Sequence, residues 1–219
     1  MDIKEILAHV DHTELSPGAV WEDIRALCDD GIRYGTASVC IPQSYVGAAA
    51  EYTAGRIPVC TVVGFPCGYS GVGVKVYETE RAISDGASEI DMVINIGALR
   101  DGRDGDVLRE IADVRRASEG YILKVIIETC LLSENEKIRA CRIVSESGAD
   151  YIKTSTGFST GGATPDDIIL FKQHVAPHVK IKAAGGIKTV SDAENFLSLG
   201  AERLGTSRIV RIVRESGLL

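Results

Sequence analysis

The sequence predicts a single-domain (β/α)8 barrel over residues 1–219, and three observations support this fold. Short β-branched runs alternate with longer segments of helical periodicity in about eight cycles. No linker interrupts the alternation, which indicates a parallel sheet with helices outside it. No GxGxxG motif follows an early strand, and about eight units are many for an open doubly wound sheet, so the barrel is favoured over that alternative.

The eight predicted strands are short runs, most of them rich in β-branched residues. They cover residues 8–11, 36–40, 58–63, 89–93, 122–128, 151–154, 180–183 and 203–206. Amphipathic segments between them predict helices, among them SPGAVWEDIRALCDDG, VKVYETERAISDGA, DVLREIADVRRASEG, SENEKIRACRIVSESGA, TPDDIILFKQHV and TVSDAENFLSLGA. Ser133 stands three residues before Glu136, as in a capping box. Four glycines are predicted to end helices, namely Gly31, Gly86, Gly148 and Gly200.

The composition excludes several classes of protein. Hydrophobic residues make up 45% and charged residues 25% of the chain, and the formal net charge of -7 disfavours nonspecific binding to nucleic acid or anionic membranes. The start, MDIKEILAHVDHTEL, does not resemble a signal peptide, and no apolar run could span a bilayer, so we expect a cytoplasmic protein. Six cysteines without CxxC spacing argue against a disulfide framework or a zinc site.

Polar residues that lie late in the predicted strands are the candidates for function, because barrel enzymes place their active sites at the C-terminal ends of the strands. These residues are Asp11, Cys40, Asp91, Asn95, Lys124, Glu128, Lys153 and Lys182. One cavity would therefore receive two or three lysines and several acids. His9 and His12 flank Asp11, but a third clear metal ligand is missing, so strand-end packing is the favoured interpretation of both.

Two lysines in one low-dielectric cavity predict covalent chemistry. Neighbouring ammonium groups repel each other and burial favours the neutral form, so at least one lysine should have a lowered pKa. A neutral amine attacks carbonyls and forms a Schiff base, which acts as an electron sink, and Asp91 could then move protons. A structural ion pair is the alternative for any single lysine. Lys124 lies well before the end of its predicted strand and stays open between the two interpretations.

Glycine-rich loops after the last three strands are candidate phosphate sites. STGFSTGGAT, KAAGGIKT and RLGTSRIV place glycine and hydroxyl residues before predicted helices, where backbone N–H groups and the helix dipole favour an anion. Barrels often bind phosphate after strands seven and eight. Tight turns between strand and helix need glycine in any case, which is the structural alternative.

Seven segments resemble the family of bacterial deoxyribose-phosphate aldolases, in order and over nearly the whole chain. They are ASVCIP, VVGFPCG, EIDMVINIG, LKVIIETCLL, DYIKTSTGFSTGGAT, IKAAGGIKT and RLGTS. The resemblance implies a class I aldolase that reversibly joins acetaldehyde to D-glyceraldehyde 3-phosphate, without a metal or an organic cofactor, in a homodimer or homotetramer. Another lysine-dependent sugar-phosphate aldolase or transaldolase, or a catalytically silent sugar-phosphate-binding barrel, are the alternatives.

The resemblance also implies roles for individual residues. Lys153 resembles the Schiff-base lysine, Lys182 the neighbour that keeps it neutral, and Asp91 the proton-transfer aspartate. Phosphate contacts are implied at Gly185, Gly186, Gly205 and Ser207, with Gly157 close by, and pocket-lining positions at Asp11, Thr13, Cys40 and Thr156. Phe158 and Arg208 depart from the enterobacterial pattern, which has lysine and serine there. Relative to that pattern, this sequence lacks a cation for the phosphate at Phe158 and has an additional one at Arg208.

Overall fold

A computed structural model describes residues 1–217 and shows a closed barrel of eight parallel strands that follow one another in chain order. The strands are β1 Val10–Thr13, β2 Ser38–Ile41, β3 Val59–Val63, β4 Glu89–Val93, β5 Ile122–Ile126, β6 Tyr151–Lys153, β7 Lys180–Ala184 and β8 Arg203–Thr206. The barrel closes where β8 pairs with β1, with Asp11 opposite Gly205. The fold class predicted from the sequence is confirmed.

Ten helices lie within residues 1–217, most of them in the connections between strands. They are α1 Ile3–Leu7, α2 Trp21–Tyr34, α3 Val46–Thr53, α4 Val72–Ser84, α5 Ile96–Arg100, α6 Asp104–Ala117, α7 Glu134–Glu146, α8 Pro165–His174, α9 Val190–Leu199 and α10 Ile209–Ser216. In this part of the chain, none has the length and apolar character that crossing a membrane requires.

Capping boxes fix the starts of α7, α8 and α9. The Ser133 side chain accepts a hydrogen bond from the backbone of Glu136, whose carboxylate accepts one in return from the Ser133 N–H at 2.7 Å. Thr164 and Thr189 cap α8 and α9 in the same way. Each box satisfies backbone donors that a helix start leaves free, and so defines where the preceding loop ends. The prediction for Ser133 is confirmed.

Three of the four predicted helix-ending glycines have the left-handed backbone that such positions favour. Gly86, Gly148 and Gly200 have φ values of 105°, 78° and 114°. Gly31 is the exception, because α2 continues to Tyr34 and ends at Gly35. A Cβ at Gly31 would lie 2.7 Å from Ile57 Cδ1 and 2.9 Å from Val39 Cγ1, so this glycine lets the helix approach the sheet closely.

The first strand lies two residues later than predicted. Residues 3–7 form helix α1 with Ala8 as its C-cap, so β1 starts only at Val10. Asp11 consequently lies within β1, opposite Ser38 of β2, instead of ending the strand. The fifth strand is shorter than predicted, because it ends at Ile126 and the backbone at Glu128 turns left-handed.

The apolar core lies between the strands and the helices, whereas the inside of the barrel is charged. Ile90, Met92, Val125, Ile152 and Leu204 are fully buried in the apolar cluster that the helices cover. Successive strand residues point to opposite faces, so their neighbours in sequence point into the barrel. A barrel interior is usually filled by branched apolar side chains. Here the inward positions of β4 to β8 carry acids, lysines and an arginine instead.

We expect Gly31→Ala to lower the free energy of unfolding by about 1–3 kcal/mol, because the new methyl group would overlap Val39 and Ile57. Gly47→Ala is the matched control, since Gly47 also lies inside a helix but a methyl group there would meet nothing closer than the Asp85 carbonyl oxygen at 3.9 Å. That control should be neutral or slightly stabilising. Chemical denaturation of both variants measures the difference, and equal stability would contradict the packing argument.

Candidate active site

Lys153, Lys182 and Asp91 meet inside the barrel, as the sequence predicts. Lys153 and Lys182 lie opposite each other in the pairing of β6 with β7. The Lys153 Nζ lies 2.8 Å from Asp91 Oδ2, and the Lys182 Nζ lies 2.6 Å from the same oxygen. Since both ammonium groups contact one atom, the two lysines are within a few ångströms of each other. Lys153 is 3% exposed, and Lys182 is fully buried.

Lys124 occupies the next layer down. Its Nζ lies 2.9 Å from Asp91 Oδ1 and 2.6 Å from Glu89 Oε2. It also donates to the thiol of Cys60 at 3.4 Å. Lys124 therefore forms structural ion pairs, which was one of the two interpretations that its sequence position left open. It also contacts the second oxygen of Asp91.

Asp11 belongs to this lower layer as well. Its carboxylate contacts Lys182, accepts from Arg203 Nη1 at 2.5 Å and from the Ser38 hydroxyl at 2.6 Å. Arg203 in turn contacts Glu89 Oε2 at 3.1 Å. Asp11 thus joins the lysine of β7 to the arginine of β8.

The buried cluster holds more cations than anions. Its members are Lys124, Lys153, Lys182 and Arg203 on one side and Asp11, Glu89 and Asp91 on the other. With every group ionised, the cluster carries one uncompensated positive charge, which a low-dielectric interior disfavours. Loss of a single proton from one lysine would balance the cluster.

The electrostatic environment keeps Lys124, Lys182 and Asp91 charged. Burial opposes the charge of Lys182, but the carboxylates of Asp11 and Asp91 outweigh burial and raise the pKa of Lys182. Burial likewise opposes the charge of Lys124, and Asp91 leads the groups that raise the pKa of Lys124 well above its usual value. Burial also works against ionised Asp91, yet the surrounding lysines hold the pKa of this carboxyl well below its usual range.

A cavity of about 320 Å³ lies above this cluster, at the C-terminal ends of the strands. Lys153 lies at its base. Eight other residues singled out in the sequence line it, namely Thr13, Thr156, Gly157, Phe158, Gly185, Gly186, Gly205 and Ser207, and Arg208 joins them. Asp11 and Cys40 do not line the cavity. Both are fully buried below it, so any influence on a ligand would be indirect.

The loop after β7 needs glycine at Gly185. Its φ is 77°, in the left-handed region, and a Cβ there would lie 3.0 Å from the Cα of Gly162 in the β6–α8 loop. Two glycine-rich loops therefore pack backbone against backbone at one side of the cavity. The backbone N–H groups and the start of α9 behind Gly186 favour an anion on this side.

Lys188 is a cavity residue that the sequence reasoning did not single out. It lies in the predicted phosphate loop KAAGGIKT, and its position two residues after the glycine pair was the signal that could have identified it. Lys188 and Arg208 bring two cations to the wall where anion contacts are expected. Phe158 contributes none, and its ring packs edge to face on Phe65 with centroids 5.2 Å apart.

Glu89 and Arg203 were also missed. Both open their strands, each two residues before a residue that was predicted to lie in the site, Asp91 and Gly205 respectively. Because strand side chains alternate with a period of two, this spacing places each pair on the same face. Counting charged residues by strand periodicity would have found them.

The histidines lie outside this cluster. Burial lowers the pKa of His12 to about 4, so the ring is neutral near pH 7. His9 Nδ1 contacts the carbonyl oxygen of Glu202 at 2.8 Å. Two sets of potential metal ligands do occur among the described residues, Cys40–Cys60–Asp91 and Asp11–Cys60–Glu89. Lys124 contacts both sets through Asp91 and Glu89, and its ammonium charge disfavours a metal cation there.

Comparisons with known proteins agree with one another. Residues 5–208 match the family described as DeoC/LacD family aldolase. A relative from Clostridium botulinum, named deoxyribose-phosphate aldolase, is 54% identical over 214 residues, which are 98% of this chain and 97% of the relative. The crystal structure of a candidate deoxyribose-phosphate aldolase from Coccidioides immitis is 41% identical with a TM-score of 0.94, and the match covers 98% of this chain and 87% of that one.

A more distant solved structure gives the same fold. It is a deoxyribose phosphate aldolase from Aeropyrum pernix with what is described as a unique tetrameric structure. Its TM-score is 0.91 at 28% identity, over 98% of this chain and 92% of that one. The similarity therefore extends over the whole barrel in proteins of widely different sequence.

The excess of buried positive charge generates a prediction about stability. Glu89→Gln would remove one of three carboxylates, and we expect it to lower the free energy of unfolding by about 3–5 kcal/mol. Lys124→Met is the counterpart, because it leaves three cations with three anions and should cost less. Chemical denaturation of the two variants at neutral pH compares them. A larger loss in Lys124→Met than in Glu89→Gln would contradict this charge balance.

Proposed function

The chain belongs to the DeoC/LacD family of aldolases, and from this we propose that it is a deoxyribose-phosphate aldolase that reversibly cleaves 2-deoxy-D-ribose 5-phosphate to acetaldehyde and D-glyceraldehyde 3-phosphate. The observation that supports this proposal most directly is the placement of Lys153. Its amine lies at the base of the cavity, and it shares an oxygen of Asp91 with a second, fully buried lysine.

Lys153 is the nucleophile in this proposal, because it is the lysine of the cluster with the fewest carboxylates around it. Lys124 has three carboxylates within 4.0 Å, Lys182 has two, and Lys153 has only Asp91. Releasing a proton from Lys153 therefore balances the cluster at the smallest loss of ion pairing. The neutral amine can then attack the aldehyde carbon C1 of the open-chain substrate.

Bond cleavage follows from the Schiff base. Loss of water joins C1 to the lysine nitrogen as an iminium ion. A base removes the proton of the C3 hydroxyl, the bond between C2 and C3 breaks, and its electron pair moves towards the iminium nitrogen. Glyceraldehyde 3-phosphate leaves, the resulting enamine takes up a proton at C2, and water releases acetaldehyde.

Asp91 and Lys182 are proposed to carry the protons of these steps. The oxygen Asp91 Oδ2 contacts both nitrogens, so it offers a short path between the reacting nitrogen and the Lys182 ammonium. Lys124 holds the other oxygen and so orients the carboxylate. These contacts support the proposed role of Asp91 in proton transfer.

The phosphate of the substrate is proposed to bind at the wall of the cavity formed by the loops after β7 and β8. Gly185, Gly186, Gly205 and Ser207 supply backbone N–H groups or a hydroxyl there, and Gly157 lies close by. Lys188 and Arg208 supply positive charge. In this interpretation the two cations compensate for the phenylalanine at Phe158.

Assembly and location complete the proposal. The Aeropyrum pernix relative is described as tetrameric, and this supports a homo-oligomer, as a homodimer or homotetramer, for this chain. The partners are small aldehydes and sugar phosphates, and no nucleic acid or membrane is required. A cytoplasmic location and activity without a metal or organic cofactor stay predictions.

Borohydride reduction in the presence of acetaldehyde tests the reaction class. We expect an N-ethyl group on Lys153, because only a Schiff base is converted into a stable secondary amine. Peptide mass mapping identifies the modified lysine, and Lys188 is the internal control because it lines the same cavity. An adduct on Lys124 or Lys182, or none at all, would contradict the assignment.

The phosphate site is tested with paired substrates. We expect Arg208→Ser and Lys188→Ser each to raise the KM for deoxyribose 5-phosphate about tenfold, since a charge-assisted hydrogen bond is worth about 1.5–3 kcal/mol. Unphosphorylated deoxyribose should be processed at an unchanged kcat/KM. Arg208→Lys is the control that keeps the charge. Equal losses on both substrates would show that these side chains do not contact the phosphate.

A further inference from the structure

The chain leaves β5 through a bulge directly beside the nucleophile. The Ile127 N–H donates to the carbonyl oxygen of Lys153 at 3.1 Å, and the Thr129 N–H donates to that of Thr154 at 2.9 Å. The chain therefore advances two residues after β5 while its partner advances one residue at the end of β6. Glu128 is the extra, bulged residue. Glu128 has φ 55° and ψ 67°, a left-handed conformation that is strained for a non-glycine residue.

The bulge buries the Glu128 carboxylate under the loop that follows β6. Glu128 is 2% exposed, and no lysine or arginine of the described residues forms an ion pair with it. Its oxygens instead accept from the Thr156 hydroxyl, from the Thr156 N–H at 3.2 Å and from the Cys130 thiol at 3.9 Å. A buried carboxylate without a cation needs such donors, so Thr156 is its main partner.

The residues after Glu128 hold the same loop at further points. Thr129 donates to Asp167 near the start of α8 at 3.0 Å. Cys130 contacts the Ser159 hydroxyl at 3.4 Å. The bulged segment therefore contacts the β6–α8 loop at Thr156 and Ser159 and the first turn of α8 at Asp167.

Glu128 determines what Thr156 can offer to a ligand. A hydroxyl group has one proton and two lone pairs. The proton of Thr156 goes to Glu128, and one lone pair accepts from the Phe158 N–H at 3.0 Å. One lone pair remains, and Thr156 lines the cavity. Thr156 can therefore accept a hydrogen bond from a substrate, but it has no proton to donate.

We propose that Glu128 is a positioning residue that orients the Thr156 hydroxyl so that it accepts a hydrogen bond from one hydroxyl group of the substrate. This inference rests on the proposed function. In that function C1 lies at Lys153 and the phosphate lies at Gly185, Gly186 and Ser207. The C3 oxygen exchanges its proton with the Asp91 system, so C4 carries the hydroxyl left to donate to Thr156. The C4 hydroxyl becomes the hydroxyl next to the carbonyl in glyceraldehyde 3-phosphate.

The test compares two acceptor aldehydes in the addition direction, each with acetaldehyde. One is D-glyceraldehyde 3-phosphate, and the other is 3-oxopropyl phosphate, which lacks the hydroxyl. The measured quantity is the ratio of the two kcat/KM values in the wild type and in two variants. Glu128→Gln keeps an acceptor oxygen for Thr156, whereas Glu128→Met is of similar length but has none. Both variants keep a non-glycine side chain at the left-handed position, so they share the backbone strain.

We expect the preference for the hydroxylated acceptor to fall about tenfold in Glu128→Met, because a freely rotating Thr156 hydroxyl no longer presents a fixed lone pair. Glu128→Gln should keep most of the preference. Thr156→Val should lose it to the same extent as Glu128→Met, and the double variant should lose no more, because both changes remove one contact. If Glu128→Met fails to fold, the acceptor ratio of Thr156→Val still tests whether Thr156 contacts the substrate hydroxyl, and that of Glu128→Gln is compared with it.

Three results would overturn the proposal. The first is that Glu128→Met and Thr156→Val lose kcat/KM equally on the two acceptors. The second is that neither variant changes the ratio of the two kcat/KM values. The third is that Glu128→Gln has the same ratio as Glu128→Met. Failure of the proposed function gives a different result, because borohydride trapping of acetaldehyde on Lys153 needs no acceptor and no hydroxyl. Trapping in the wild type with an unchanged acceptor ratio in the variants rejects only the role of Glu128.

Discussion

One carboxylate oxygen shared by two lysines is the interaction on which the site depends. Asp91 Oδ2 brings Lys153 and Lys182 together although their ammonium groups repel, and Lys124 secures the other oxygen. With every group ionised the cluster carries one positive charge in excess, and of its three lysines Lys153 has the fewest carboxylates around it. In the proposed function, this imbalance would prepare the nucleophile without a dedicated base.

The two faces of the sheet have different roles: the outer face stabilises the fold, and the inner face carries the charge cluster. The apolar side chains that stabilise the fold face the helices, where Ile90, Met92 and Val125 pack. The inside of the barrel then need not supply hydrophobic stabilisation, and it can hold ion pairs whose desolvation is only partly offset. The same alternation of strand side chains places Glu89 below Asp91 and Arg203 below Gly205.

Features that follow from local periodicity were predictable, and those that follow from tertiary geometry were not. The strands of the second half, the caps at Ser133 and the inward lysines follow from spacing along the chain. Gly31 was misinterpreted because its reason is a helix approaching Ile57 and Val39, which no local pattern contains. Glu128 could be identified only as a strand-end acid, because its left-handed backbone results from pairing with β6.

Closure of the barrel has a consequence for biosynthesis. Asp11 of β1 accepts from Arg203 of β8, 192 residues later, and it also contacts Lys182. A nascent chain therefore cannot assemble the charge cluster until its last strand has left the ribosome and paired with its first. Up to that point the cluster lacks Arg203, the fourth cation, which gives it the excess of positive charge. An unfinished chain therefore lacks the charge excess on which the proposed reactivity of Lys153 rests.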